Sequence, residues 1–207
     1  MTYQMQAKRL RAVADAQRLA LIEGFCLAVE QRGIDGATVV DVVRHARVSK
    51  RTFYEHFADK QACFIAAYRE LAEQTMQAIA AAVDVAAPWE TQLACAARAY
   101  LGVLDSRPRL TRAFFLGILA AGPEGITLRR EVLERFAELV RELLAQARKT
   151  EPQLRPLTPI MATAMVGGMN ELMLLRVEKR MNMGDLADTV VTLWKAVVAP
   201  ATAAAAR

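Results

Sequence analysis

The 207-residue sequence has only three cysteines and two histidines. Cys26, Cys63 and Cys95 are far apart and form no CxxC pair, so we expect neither a disulfide framework nor a zinc site. We accordingly expect no metal, no cofactor and a reducing, cytoplasmic environment. The start, MTYQMQAKRLRAVADAQ, has no apolar segment of the kind found in secretory signals. Charged residues are expected to interrupt each apolar run before it could span a bilayer, so no membrane partner is expected.

Enzyme motifs are also missing. The sequence contains no HExxH, no GxSxG and no glycine-rich phosphate loop. Both histidines, His45 and His56, fall in one basic segment, and the cysteines lie in apolar contexts (FCLAV, ACFIA and LACAA) that are typical of a core. We therefore do not expect an enzyme.

What the sequence does contain is apolar and helix-forming. Hydrophobic residues make up 54% and charged residues 24%, which predicts a substantial buried core. Alanine, leucine and arginine dominate and strand-forming runs are scarce, which predicts an all-α fold. The net charge of +5 is concentrated between residues 44 and 60, which favours a polyanionic partner. The cations of this segment are Arg44, Arg47, Lys50, Arg51 and Lys60.

The first 60 residues predict two short helices after a longer one. The first helix is expected over Arg9–Arg32, with Gly33 as a left-handed C-cap. Thr38 and Asp41 have the T-x-x-D spacing of a capping box, which starts a second helix. Ser49 is a typical N-cap for a third. A short helix, a tight turn and another short helix form the helix-turn-helix arrangement, whose second helix enters the major groove of DNA.

The third predicted helix has two different faces. Phe53 and Phe57 are spaced i and i+4 and form the inward face. Lys50, Arg51 and Tyr54 lie away from it, towards solvent or a ligand. Cations at this end of a helix suit DNA, because they can reach phosphates or the O6 and N7 atoms of guanine.

These residues resemble the DNA-binding domain of the TetR family of transcriptional regulators. The family pattern has a first helix ending in Gly, a Thr that opens the second helix, and VS-x-x-T-[LF]-Y-x-[HY]-F-x-x-K. Here these elements are Gly33, Thr38 and VSKRTFYEHFADK, within about Arg18–Phe64. The chain departs from the pattern at Arg51, where Gly is frequent, and at Ala46-Arg47, where Ala-Gly is usual. Both arginines add positive charge and bear on which operator is read.

The resemblance assigns roles residue by residue. It implies base contacts for Lys50 and Arg51, with Tyr54 helping. It implies phosphate contacts for Thr38, Thr52, Tyr54, His56 and Lys60. Two alternatives stay open: Thr52 could satisfy a helix carbonyl, and His56 could be a surface histidine that caps a helix end. The segment with Lys8, Arg9 and Arg11 is either a minor-groove arm or the solvated start of the first helix. The predicted DNA-binding set is Thr38, Ser49, Lys50, Arg51, Thr52, Tyr54, His56 and Lys60.

The remaining two thirds predict further helices punctuated by Pro and Gly, about nine in all. Asp59 is expected to cap a fourth helix running to about Val83. The predicted domains are residues 1–60, a helix-turn-helix DNA-binding domain, and residues 61–207, a larger helical bundle for effector binding and dimerisation. Later helices are expected over about 89–105, 107–119, 124–149, 159–180 and 185–198.

Apolar residues of the last two helices predict a dimer interface. The last helix carries an apolar stripe at i, i+4, i+7 and i+11, and two adjacent glycines in the helix before it would allow another helix to approach closely. TetR-like proteins dimerise through these two helices, although the same residues could form an intramolecular core. The predicted interface residues are Gly167, Gly168, Leu186, Val190, Leu193, Trp194 and Val197.

The resemblance also implies an effector pocket among the middle helices. Methionines at i+4 spacing could form an adaptable wall for an apolar ligand, and aromatic residues could add to it. Plain core is the alternative for each of them. The candidate pocket residues are Trp89, Tyr100, Phe114, Phe115, Phe136, Met165 and Met169.

The sequence thus predicts a ligand-responsive repressor that binds a palindromic operator as a homodimer and is released by a small, largely apolar effector. A transcriptional activator or an effector-independent regulator is the close alternative. A helical interaction adaptor without a DNA role is the distant one, and the exposed Lys50-Arg51 pair argues against it.

Overall fold

The computed structural model describes residues 2–179 and 181–199, and the regular structure of these residues is entirely α-helical. This confirms the predicted all-α class and the nine helices. The predicted end of one helix at Arg180 lies outside the described residues. The helices are α1 (Thr2–Gly36), α2 (Val39–Ala46), α3 (Lys50–His56), α4 (Lys60–Ala82), α5 (Trp89–Ser106), α6 (Pro108–Ala120), α7 (Gly122–Ala147), α8 (Pro159–Lys179) and α9 (Met183–Val198).

The chain folds into two compact units whose bounds differ from the predicted division at residue 60. The first comprises residues up to Leu71 together with Arg112–Ile126, and the second comprises Ala72–Thr111 together with residues from Thr127 on. The first unit therefore contains the helix-turn-helix, the start of α4 and most of α6. No local signal in the sequence places α6 there, because that assignment depends on packing between distant segments.

Within the first unit, α1 and α2 approach closely. A β-carbon on Gly24 would lie 2.6 Å from the Val42 carbonyl oxygen, so only glycine permits this approach without a shift. Leu21 and Phe25 of α1 and Val42 of α2 are fully buried. Gly33 has φ 73°, which breaks the regular helix at the predicted C-cap.

Local capping sets the helix starts as predicted. The N–H of Asp41 donates to the Thr38 hydroxyl (3.2 Å), and the N–H of Thr38 donates to the Asp41 carboxylate (3.2 Å), which completes the capping box of α2. The N–H of Thr52 donates to Ser49 Oγ (3.0 Å) at the start of α3. The N–H of Ala62 donates to the Asp59 carboxylate (2.8 Å) at the start of α4.

An aromatic cluster forms much of the remaining core of the first unit. Phe64 of α4 packs edge-on against Phe114 of α6, with ring centroids 5.2 Å apart. Phe25 of α1 lies 6.4 Å from Phe114, and Tyr68 stacks on it at 6.2 Å. Because Phe114 is 1% exposed in this cluster, it ties α6 to α1 and α4.

In the second unit, α9 packs against α5. This contact divides the predicted apolar stripe of α9. Leu186, Val190 and Trp194 are buried in the core of their own chain, whereas Leu193 is 53% exposed. The reason is geometric: the buried arc of α9 is centred near Trp194, so Leu193 lies at the edge of this arc and faces outward.

Helix α8 corrects one expectation from the sequence. By length and composition alone, Pro159–Lys179 is apolar enough to cross a membrane, and no charge interrupts it sufficiently to prevent this. Only 28% of its most apolar window is buried within the chain. A core helix of a soluble protein passes the same test, so this composition by itself is weak evidence for a membrane span.

Candidate functional site

The outward face of α3 presents polar and charged side chains. Phe53 is fully buried and Phe57 is 5% exposed, so both side chains hold α3 against the first unit, as predicted. On the other face the Arg51 side chain is 90% exposed and Tyr54 is 58% exposed. Lys50 is also exposed. The helix therefore buries its phenylalanines and offers a cationic, hydroxyl-bearing surface to a ligand.

The hydroxyl groups at the helix starts already have partners within the protein. The Thr38 hydroxyl donates to the Asp41 carboxylate (2.7 Å), and the hydroxyls of Ser49 and Thr52 lie 2.9 Å apart. These contacts give the three hydroxyls a structural role, and the partner of the Thr52 hydroxyl is the Ser49 hydroxyl and not the helix carbonyl considered as an alternative. His56 is half-buried, with its ring centroid 6.4 Å from that of Phe57.

Asp41 is the acidic centre of the α1–α2 region. Its carboxylate receives Arg44 Nη2 at 2.8 Å and lies 3.5 Å from Arg32 Nε. The hydroxyl of Thr38 lowers the pKa of Asp41 most strongly; burial opposes this, and the Thr38 N–H, Arg32 and Arg44 lower the pKa further. Asp41 is thus ionised at neutral pH and neutralises two cations of this region, Arg32 and Arg44.

Lys60 has a structural position that the sequence did not predict. Its Nζ donates to the carbonyl oxygens of Ile34 (2.8 Å) and Ala37 (3.1 Å), and lies 3.5 Å from that of Asp35. An ammonium group has three donors, so these contacts occupy it fully. The side chain joins the start of α4 to the junction between α1 and α2, and its predicted phosphate contact remains a prediction.

Some Lys and Arg side chains between residues 28 and 67 bind another group of the protein, and others do not. Arg32 and Arg44 pair with Asp41, Arg51 Nε lies 3.0 Å from Glu55, and Lys60 binds carbonyls. The two other cations of this segment are Arg47 and Lys50, which are exposed and make no such contact.

The N-terminal cations lie on a helix. Lys8, Arg9 and Arg11 are exposed on α1, which begins at Thr2 and continues without a break to Gly33. The structure therefore shows a solvated helix start and no extended arm.

The predicted effector residues are divided among several environments. Tyr100, Phe136 and Met169 line one apolar cavity of about 10 Å³ in the second unit, with the rings of Tyr100 and Phe136 edge-on at 5.1 Å. Phe114 belongs to the aromatic core of the first unit, and Phe115 and Trp89 are half-buried. Met165 lies at a different groove.

Polar groups that sequence reasoning missed lie between α5 and α8. The Tyr100 hydroxyl donates to Asn170 Oδ1. Arg176 Nη2 lies 2.6 Å from the Asp105 carboxylate, and both side chains are largely buried. These pairs are distant in sequence, so only their spacing on two helices that fold together could have indicated them.

A groove runs along α8 and α9 in the second unit. It has a volume of about 320 Å³, and its lining is almost wholly apolar. Gly168, Leu193 and Val197 lie at its rim or walls, and Val190 and Trp194 line it from the core. A β-carbon on Gly167 or Gly168 would meet no atom within 4 Å, so the backbone of α8 is open at this point. The groove thus brings together five of the seven predicted interface residues: Gly168, Val190, Leu193, Trp194 and Val197.

Comparisons with known proteins agree with this architecture. Residues 28–67 match the family of bacterial regulatory proteins called the tetR family. A comparison with the curated proteins found no match. Among solved structures, the chain is similar to FadR from Bacillus subtilis in complex with stearoyl-CoA, with a TM-score of 0.73 and 17% identity over 87% of this chain and 98% of that chain. It is also similar to the fatty acid degradation regulator FadR from Bacillus halodurans (TM-score 0.72, 20% identity, 86% and 93% covered). A third similar structure is a TetR-like transcriptional regulator from Rhodococcus sp. RHA1 (TM-score 0.62, 20% identity, 87% and 95% covered).

The matched segment contains the helix-turn-helix, the motif whose second helix enters the major groove in DNA-binding proteins. At these identities the solved structures show the shared fold, and the family match applies to residues 28–67. The match confirms the predicted family for residues 28–67, and the structural similarity shows that the chain has the fold of these structures.

Proposed function

We propose that the protein is a repressor that binds a palindromic operator as a homodimer and is released by a small, largely apolar effector. The observation that carries the proposal is the outward face of α3. Lys50, Arg51 and Tyr54 are exposed there while Phe53 is fully buried, so the helix can enter the major groove without disturbing its own packing.

The predicted DNA-binding residues have distinct roles in this proposal. Lys50 and Arg51 reach base edges and Tyr54 assists them, because long donors on the exposed helix face can reach guanine O6 and N7. His56 contributes a phosphate contact. Thr38, Ser49 and Thr52 act first as caps that fix the helix starts and can position the same helices against phosphates.

A homodimer is supported by the groove along α8 and α9. An apolar surface centred on Gly168 and Leu193 is unfavourable in water, and a second copy of the same helices would cover it with a matching apolar surface. Two-fold symmetry also suits DNA, because it presents two recognition helices to half-sites about 34–36 Å apart. Leu186 belongs to the core behind this interface, since it is 1% exposed within one chain.

The effector is supported by the interior of the second unit. The cavity at Tyr100, Phe136 and Met169 holds about 10 Å³, whereas ligand pockets occupy roughly 300–1,000 Å³. An effector bound there would therefore select a conformation in which the surrounding helices have separated. Because it binds that conformation better, it shifts the population away from the DNA-binding state.

The chemistry of this interior favours a largely apolar compound with one polar end. The cavity is lined by aliphatic, methionine and aromatic side chains. Two polar pairs, Tyr100–Asn170 and Arg176–Asp105, link α5 and α8, which both contribute to the lining. Since the structurally similar FadR from Bacillus subtilis was solved with stearoyl-CoA, long-chain acyl-CoA is the effector class to test first.

The decisive experiment is selection of genomic DNA fragments by the purified protein. We expect enrichment of palindromic fragments, and loss of enrichment for a Lys50→Ala, Arg51→Ala double variant that keeps the same thermal unfolding. Stearoyl-CoA should then release the selected fragment, while free coenzyme A should not. Retention of no DNA would favour the interaction adaptor, and binding that no acyl-CoA alters would favour an effector-independent regulator.

Activation is the close alternative to repression. The position of the selected operator relative to the promoter distinguishes them, since a site that overlaps the promoter blocks polymerase and one upstream of it can recruit polymerase. A reporter assay with and without the protein gives the sign directly.

A further inference from the structure

We propose that Arg47, in the turn between α2 and α3, contacts a DNA phosphate. The inference rests on the DNA-binding role proposed above and adds a residue that the family pattern does not supply, since glycine is usual at this position. Two independent observations support it: the left-handed backbone of Arg47 and its exposed, unpaired guanidinium group.

The backbone of Arg47 is left-handed. Its φ is 56° and its ψ is 40°, and among the described residues it is the one non-glycine residue with a positive φ. The turn requires this conformation, because the N–H groups of Arg47 and Val48 both donate to the Val43 carbonyl oxygen at the end of α2. A β-carbon is strained there and glycine is not. An arginine in this position therefore weakens the fold relative to glycine, and such strain is typical of functional positions.

The charge of Arg47 is free. Its side chain is exposed and makes no ion pair or hydrogen bond with any residue that the structure describes, while Arg44 and Arg32 are paired with Asp41 and Arg51 is paired with Glu55. No contact among the described residues accounts for an arginine at this position. A free guanidinium beside the recognition helix is available to an anion outside the chain.

Phosphate is the anion that fits this place. The outward face of α3 carries the residues expected to reach bases, whereas the turn that precedes α3 lies at the edge of the element that enters the groove. The edges of the groove are lined by phosphates. A guanidinium binds a phosphate with two parallel N–H···O hydrogen bonds, which also fixes the angle of the turn on the duplex.

Three substitutions separate charge from strain. R47Q removes the charge and keeps the strained β-carbon, R47G removes both, and R47K keeps both. R130Q is the matched control, because Arg130 is an exposed cation of α7 that pairs with none of the described residues, and its loss changes the net charge equally. Each protein is titrated against random-sequence duplex DNA and against the selected genomic fragment over a range of salt concentrations.

We expect R47Q and R47G to reduce the salt slope by about 0.9 per protomer, which corresponds to about an 8-fold weaker binding per protomer at 0.1 M salt. R47K and R130Q should keep the wild-type slope. In thermal unfolding without DNA, R47G should melt about 2–4 °C above R47Q, because glycine relieves the backbone strain. A variant that is more stable and yet binds DNA less tightly is not expected from a merely structural residue.

The outcomes are distinct. If R47Q binds DNA as tightly as the wild type with an unchanged salt slope, the phosphate contact of Arg47 is overturned and the proposed function stands. The same holds if R47Q and R130Q lose equal DNA affinity. Wild-type protein that binds neither DNA at low salt overturns the proposed function together with this contact.

Discussion

Replacing Lys60 by methionine should loosen the junction of α1, α2 and α4 in the first unit. The substitution keeps the aliphatic stem and removes the ammonium group, whose donors reach the carbonyl oxygens of Ile34 (2.8 Å) and Ala37 (3.1 Å). A hydrogen bond to a charged group stabilises by about 1.5–3 kcal/mol, and the half-buried carbonyls would lose their partner. Water can partly reach the site, so we count the two short hydrogen bonds as one such interaction. The free energy of unfolding should then fall by about 1.5–3 kcal/mol.

The assay is thermal unfolding of the free protein, combined with DNA binding at several salt concentrations. For a chain of this length the expected loss lowers Tm by about 3–12 °C. Lys50→Met is the matched control: it makes the same chemical change at an exposed lysine without a partner in the protein. We expect Lys50→Met to keep the wild-type Tm and to weaken DNA binding directly.

The salt dependence separates the two possible roles of Lys60. If its ammonium group holds the junction, Lys60→Met lowers Tm and leaves the salt slope close to wild type. If it contacts a phosphate, the slope falls by about 0.9 per protomer and Tm changes little. The second pattern would refute the reasoning from the observed hydrogen bonds.

Three further changes test other parts of the structure. Arg51→Ala should weaken operator binding by about 1–3 kcal/mol and relax preference at one base pair per half-site, measured on single-base operator variants; an equal loss on all sequences would contradict base reading. Leu193→Glu should separate the dimer in sedimentation without unfolding the chain, because Leu193 is 53% exposed in the groove; an intact dimer would exclude that interface. Because the Thr38 hydroxyl lowers the pKa of Asp41, the stability from this carboxylate is present above its unfolded pKa near 3.8 and should be lost as pH falls through the lower folded value. Asp41→Asn should remove this dependence of stability on pH, measured as Tm against pH in the acid range. The same dependence in the variant and in the wild type would contradict it.

Helix starts could be read from sequence because capping is local. Thr38, Ser49 and Asp59 each bind an N–H three residues ahead, so the residue types and their spacing are sufficient to predict them. The separation of Phe53 from Arg51 on α3 is equally local, since it follows from the period of the helix.

Residues that act across long sequence separations could not be assigned in this way. Phe114 was expected near the effector, yet α6 packs it against Phe25 and Phe64 in the first unit. The α9 stripe was expected at one interface, yet Leu186 is buried within the chain and Leu193 is 53% exposed. Hydrophobicity predicts that such side chains are covered but does not specify which surface covers them.

The sequence by itself therefore determined the all-helical class, the helix-turn-helix and the cationic face of α3, because helix period and capping depend on neighbours within a few residues. Only the tertiary structure decided which of those cations are free. Lys60 is bound by carbonyls from the end of α1, Arg32 and Arg44 share Asp41, and Arg47 remains unpaired on a left-handed turn. The physical reason is that a charge is neutralised by whatever the fold brings within a few ångströms, and that set of neighbours exists only once the helices have packed.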